Sequence, residues 1–190
     1  MPRPATDKRE RLTAAAASLA HTRGLERTTL GDIAAEAGVA PGSVYYYFKT
    51  KDDVGLAVVE ALLERYRSRF EDWNGAEDPR DRLSAYIDSY VADEPAIRAS
   101  GCPVGTLATE ARKLSEDLGD AAASVLRITI DWAAEQFEEL GFAPEAARAR
   151  ALHLVTGIQG AATLANALGE AEPLEREAAH LKRWVANTSA

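Results

Sequence analysis

The stretch Thr28–Val54, TTLGDIAAEAGVAPGSVYYYFKTKDDV, decides the fold. Thr29 is an N-cap type ahead of an apolar face made by Leu30, Ile33, Ala34 and Ala37, so a short helix is expected there. Gly38 follows, where a left-handed residue closes a helix at no steric cost. After Val39 and Ala40, Pro41 brings the fixed backbone angle of a first turn, and a second short helix carries Val44 and Phe48 inward. The small Ala34 and Ala37 stand where the two helices would cross. Two short helices around a tight glycine turn make a helix-turn-helix.

Winding the second of these helices at about 100° per residue puts Gly42, Ser43 and Tyr46 opposite Val44 and Phe48, with Tyr45 and Tyr47 on the flanks. That outer edge suits DNA. Gly42 lets a backbone come close, the hydroxyls of Ser43, Tyr45 and Tyr47 can bond phosphates, and flat rings can lie against thymine methyls. With no Arg, Asn or Gln on the helix, base readout falls to Ser43, Tyr46 and close van der Waals fit. Lys49 and Lys51 add cations, and Thr29 at the preceding helix start can receive a phosphate. The expected DNA-binding set is Thr29, Pro41, Gly42, Ser43, Tyr45, Tyr46, Tyr47, Lys49 and Lys51. The competing reading makes YYYF a core stripe, but three consecutive tyrosines cannot all face one core from a helix. Lys49 and Lys51 taken alone would be ordinary surface lysines.

Working outward, Asp7 with Glu10 reads as a variant capping box opening a helix over 7–23, with Leu12, Ala15, Ala16 and Leu19 at helical spacing until Gly24. Thr50 and Asp53 signal another box, and Val54, Ala57, Val58, Ala61 and Leu62 carry a long helix over 51–73 to Asn74 and Gly75. Asp78 and Pro79 begin the next, with a break expected at Glu94 to Gly101. Further helices are expected at 103–113, 116–140, 144–168 and 173–187. The sum is an all-α chain of about nine helices. It divides into a helix-turn-helix DNA-binding domain over 1–51 and a helical ligand-binding and dimerisation domain over 52–190.

Net charge is −8 over 190 residues, which taken alone argues against nucleic acid. Its distribution reverses that inference. Residues 1–51 hold eight Lys and Arg against five Asp and Glu, while 52–190 hold fourteen against twenty-five. A basic head on an acidic body can dock locally on phosphates while the body points away. The single Cys102 cannot close an intramolecular disulfide, no Cys and His cluster has zinc spacing, and no stretch nears the roughly 20 apolar residues of a membrane span. The start MPRPATDKRER lacks the apolar core of a signal peptide. Neither metal, cofactor nor membrane is expected, and a cytoplasmic location fits. No nucleophile triad, phosphate loop, metal set or paired carboxylate suggests an enzyme.

At this point the chain resembles the TetR family of transcriptional regulators. The resemblance rests on Thr29, the apolar pair Ile33 and Ala34, Ala37 to Val39, Gly42, Tyr45, Tyr47, Phe48 and Lys51, and covers about residues 7–55. Tyr47 stands where the family more often has His. The resemblance implies a homodimer on a palindromic double-stranded operator, usually a repressor, which lets go when a small molecule enters the C-terminal domain. It implies nothing about which molecule.

For the body, Tyr86, Tyr90, Cys102, Thr106, Leu107, Glu110, Leu126, Ile130 and Phe137 mix apolar walls with polar groups, as a pocket for a largely apolar ligand would; a packed core with polar residues turned to water is the other reading. Gly157, Gly160, Ala161 and Leu164 form a small-residue surface that, with Leu181 and Trp184 on the last helix, resembles the family's dimerising pair. The alternative is packing within one chain. His153 and His180 have no second ligand at a metal spacing. Cys102 stands just ahead of a helix start, where a thiolate is stabilised. The Gly101–Cys102 segment resembles that of a TetR subgroup that includes reactive-electrophile sensors, so an electrophile or redox response through Cys102 is an alternative to simple burial. A further alternative is a ligand- or protein-binding module that no longer recognises DNA.

Overall fold

A computed structural model describes residues 5–189. Among them are ten α-helices and no strand: α1 Ala5–Arg23, α2 Leu30–Glu36, α3 Pro41–Tyr47, α4 Lys51–Trp73, α5 Pro79–Ala92, α6 Glu94–Ser100, α7 Pro103–Leu114, α8 Glu116–Glu139, α9 Pro144–Leu168 and α10 Glu172–Ala186. The all-α expectation holds, and most expected boundaries fall within a few residues.

Two details differ. The break expected at Glu94 to Gly101 is the short helix α6; Pro95 sits in its first turn, where a missing N–H costs nothing, and Ile97 is buried. Only Gly101, at φ +81°, marks the stop. The Asp7 and Glu10 capping box does not open α1, which starts at Ala5; Asp7 instead lies within the first turn and pairs with Arg11.

The helices form two compact units. The first runs through Glu64 and adds Thr106–Val125, so it holds α1 to α3, most of α4, α7 and the start of α8. Its core is Leu12, Ala16 and Leu19 of α1, Ile33 and Ala34 of α2, Val44 and Phe48 around α3, and Val54 and Val58 of α4, all buried. Burying such side chains contributes roughly 1.5–3 kcal/mol each, which fixes α3 from its inner side. Gly38, at φ +62°, makes the turn between α2 and α3. Arg11 of α1 donates to the carbonyls of Ala37 and Gly38, so that turn is held from outside as well.

The second unit takes Arg65–Gly105 and the chain from Leu126 onward. There α10 packs on α9 and α5, and α6 on α9. A Cβ on Gly157 would lie 2.8 Å from Glu177 Oε1 and 3.3 Å from a Leu181 methyl, so the bare Cα is what lets α10 come close. An aromatic cluster fills the interior: Phe70 stacks on Trp132 at 4.9 Å, and Trp73 meets both Tyr86 and Trp132.

Candidate nucleic-acid interface

Two matching capping boxes flank α3. At Thr29-x-x-Asp32 the Thr29 hydroxyl accepts from the Asp32 N–H at 3.1 Å and the Asp32 carboxylate accepts from the Thr29 N–H at 3.0 Å. At Thr50-x-x-Asp53 the corresponding distances are 3.1 and 3.0 Å, with a further bond from the Lys49 N–H to Asp53. These donors pull both carboxyls below their usual range. For Asp32 the Thr29 hydroxyl, which also donates to the carboxylate at 2.6 Å, contributes most, and for Asp53 the Lys49 N–H. The boxes fix where α2 and α4 begin, and hence where α3 ends.

Between them α3 turns its two edges in opposite directions. Val44 and Phe48 are buried, whereas Tyr45 is 57 % and Tyr46 78 % exposed. Leaving aromatic rings in water forgoes the roughly 1.5–3 kcal/mol that burying a large side chain yields, so the folded chain gains little from placing them there. The Tyr46 ring meets Tyr47 edge-on at 5.1 Å. Pro41 and Gly42 are exposed, Ser43 is half-buried, and a Cβ on Gly42 would meet nothing within 4 Å. Lys49 is exposed at the same end.

Three residues sit differently from the simplest expectation. Tyr47 is half-buried and lines a groove with Thr13 and Ala14 of α1 and Ala57 and Ala61 of α4. The Lys51 ammonium donates to the Glu26 carbonyl, so its charge is anchored beside the α1–α2 loop. Glu110, grouped by sequence with the ligand residues, accepts from the Glu26 N–H at 2.7 Å. One loop residue is thereby held at both its N–H and its carbonyl. Sequence alone gave no signal for that clamp, because its members are 25 and 84 residues from Glu26.

The other ligand candidates divide between the units. Thr106 and Leu107 belong to the first; Tyr86, Tyr90, Cys102, Leu126, Ile130 and Phe137 to the second. Tyr86 and Phe137 are fully buried, Phe137 against Phe142 and Trp184. Cys102 is buried with its Sγ 3.9 Å from Tyr90 Oη, the surroundings of a packing residue. Leu126 and Ile130 line an open cavity together with Gln159, a residue sequence reasoning passed over. Of the dimer candidates, Ala161 and Leu181 are buried within the chain and Gly157 is covered by α10, which is the intramolecular packing alternative. Gly160 and Leu164 remain exposed on α9, beside exposed Leu152 and Leu168, and Trp184 is half-buried against His153.

Comparison with known proteins places this arrangement. Residues 12–58 match the family of bacterial regulatory proteins, tetR family, and residues 79–180 match the C-terminal domain of LmrA/YxaF-like transcriptional regulators. The chain belongs to the TetR family of transcriptional regulators. It is 30 % identical to the HTH-type transcriptional repressor NemR of Escherichia coli, over 95 % of this chain and 94 % of that one. It is 29 % identical to the HTH-type transcriptional regulator LmrA of Bacillus subtilis, over 70 % of this chain and 71 % of that one. Among solved structures, reduced E. coli NemR superposes with a TM-score of 0.75 at 28 % identity, covering 93 % of this chain and 96 % of that one. A TetR regulator from Legionella pneumophila shares the fold with a TM-score of 0.85 at 20 % identity, covering 97 % and 99 %. This TetR-family chain is thus a DNA-binding transcription regulator with repressors among its relatives, and no helix among its described residues is long and apolar enough to cross a membrane.

Proposed function

We propose that this regulator is a cytoplasmic repressor that binds a palindromic operator as a homodimer and releases it when a small, largely apolar molecule occupies the C-terminal domain. The observation that carries the reading is the divided surface of α3: an aromatic and hydroxyl edge in water, backed by a buried valine and phenylalanine. The division into a head over 1–51 and a body over 52–190 belongs to the same proposal. Thr29, Pro41, Gly42, Ser43, Tyr45, Tyr46, Tyr47 and Lys49 make the operator contacts, and Lys51 acts by holding the loop behind them. Two such helices read half-sites about one DNA turn, or 34–36 Å, apart. The exposed leucines of α9, Leu152, Leu164 and Leu168, with Gly160, support a second copy as the covering partner.

The experiment is a mobility shift of the protein on DNA upstream of its own coding region, followed by footprinting. Two protected half-sites of inverted symmetry are expected, with affinity falling steeply as salt rises. Absence of a shift at low salt, with the protein folded, would point to a binding module that has lost DNA recognition.

A further inference from the structure

Between α8 and α9 in the second unit lies a cavity of about 390 Å3. It is lined by Leu126 and Ile130 from α8 and by Val155, Thr156, Gln159, Gly160 and Thr163 from α9. No ionisable side chain is among its lining residues. The groove is open to solvent on the side of Thr156, Gly160 and Thr163, which are exposed, and an apolar surface with a few polar groups is the usual composition of a small-molecule site.

Gln159 is the one amide side chain among the lining residues. Its Nε2 donates to Tyr90 Oη at 2.8 Å. Its Oε1 lies over the Gly105 Cα, so close that a Cβ there would be 2.5 Å away. Behind it, Tyr90 Oη is 3.5 Å from Tyr66 Oη and 3.9 Å from Cys102 Sγ. The Tyr86 hydroxyl beside them is buried with no hydrogen-bond partner. This string of neutral polar groups runs from the cavity wall to Tyr66 on α4. A buried hydroxyl left unpaired carries a desolvation penalty, and in this neighbourhood that group is the Tyr86 hydroxyl.

We propose that Gln159 is the recognition residue of an effector site between α8 and α9, and that the site takes a small uncharged molecule carrying one hydroxyl donor on an apolar body. The inference rests on the reading that a small molecule controls this regulator, and it adds the site and the chemical class. The donor meets Gln159 Oε1, the body lies on Leu126, Ile130 and Val155, and an anion or cation finds no counter-charge in the lining. Two cations on its own helix that act on Tyr66, Arg65 and Arg69, are both paired with Asp93.

The test uses the full chain at neutral pH and three naphthalene probes: 2-naphthol, its methyl ether 2-methoxynaphthalene, and 2-naphthoate. Calorimetric titration is expected to show 2-naphthol binding about tenfold tighter than either analogue, since each lacks the donor or adds a charge. Gln159→Leu should bring the alcohol down to the level of the ether. Ile130→Trp, which fills the cavity from the α8 wall and leaves Gln159 in place, should remove binding and guards against a fold defect in the first variant. The inference is overturned if 2-naphthol does not bind, if the ether binds as well as the alcohol, or if Gln159→Leu keeps the preference. It is also overturned if Ile130→Trp alters only the oligomeric mass, which would make a second copy the occupant. A mobility shift run with 2-naphthol separates the two readings. Hydroxyl-selective binding without operator release upholds the site and counts against ligand-controlled repression, whereas equal binding of alcohol and ether counts against the site alone.

Discussion

Glu110 of α7 accepts a hydrogen bond from the backbone N–H of Glu26 at 2.7 Å, while Lys51 of α4 donates to the carbonyl of that same residue. The α1–α2 loop is therefore held by two charged side chains from two other helices, directly ahead of the cap at Thr29. A charge-assisted bond of this kind contributes up to about 1.5–3 kcal/mol, less where water reaches it. Glu110→Ala is expected to weaken operator binding about fivefold with α3 unchanged, and Glu110→Gln, which keeps an acceptor, to weaken it less. Titration of the two variants against operator DNA checks this. Equal affinity of Glu110→Ala and the parent chain would show that the loop positions itself.

The clamp also shows where sequence reading stops. Helix periodicity, Thr-x-x-Asp spacing and the Gly38 turn are local, so α2, α3 and the outward tyrosines were legible from a few neighbouring residues. The helix-turn-helix pattern likewise carried the family. Glu110, Gln159 and the fate of Gly157 depend on which helices meet across the chain, and a single sequence holds no such record. Small residues at 157, 160 and 161 signal a close helix approach in either case; only the fold shows that α10 covers Gly157, that Ala161 is buried and that Gly160 is left open. The α6 helix was missed because Pro95 reads equally as a break and as a first-turn residue.

Tyr45 and Tyr46 test the interface without testing the fold. Both rings stand mostly in water, so replacing either with Ala should move the melting temperature by no more than about 2 °C, the scale of a surface change of roughly 0.5 kcal/mol. Operator affinity should fall by about tenfold for each. Tyr45→Phe should recover part of that if the ring matters and none of it if the hydroxyl alone binds phosphate. Thermal melts and mobility shifts on the same preparations report both quantities.

Gly119, near the start of α8, lies against Arg112 of α7. A Cβ there would lie 2.8 Å from the Cα of Arg112, a backbone atom that cannot swing aside. Ordinarily Gly→Ala inside a helix gains about 1 kcal/mol. Here overpacking of roughly 1–3 kcal/mol opposes that gain, and because the obstacle is backbone the clash should win. Gly119→Ala is expected to lower the melting temperature by several degrees. Gly160→Ala, whose Cβ would meet nothing in the chain, should raise it slightly unless a second copy packs there. A destabilised Gly160→Ala dimer with an unaffected monomer would then mark Gly160 as part of the interface.

Tyr66, Tyr86 and Tyr90 share one buried neighbourhood, and burial raises all three above the ordinary tyrosine value of 10.0, Tyr66 to about 12. The charged phenolate is the form the core rejects, so these groups hold their protons in the folded chain at pH values where the unfolded chain gives them up. The contribution of Tyr66 to stability is complete below pH 10.0 and is lost as pH rises through about 12, the direction that linkage requires for a raised value. Ultraviolet titration of phenolate in the native protein is expected to show a late phase that coincides with unfolding by circular dichroism. Removing one contributor by Tyr66→Phe should shrink that late phase and extend the folded range upward in pH. If Tyr66→Phe instead left the phase and the alkaline midpoint where they were, Tyr66 would be reached by water and the polar string from Gln159 would end at Tyr90.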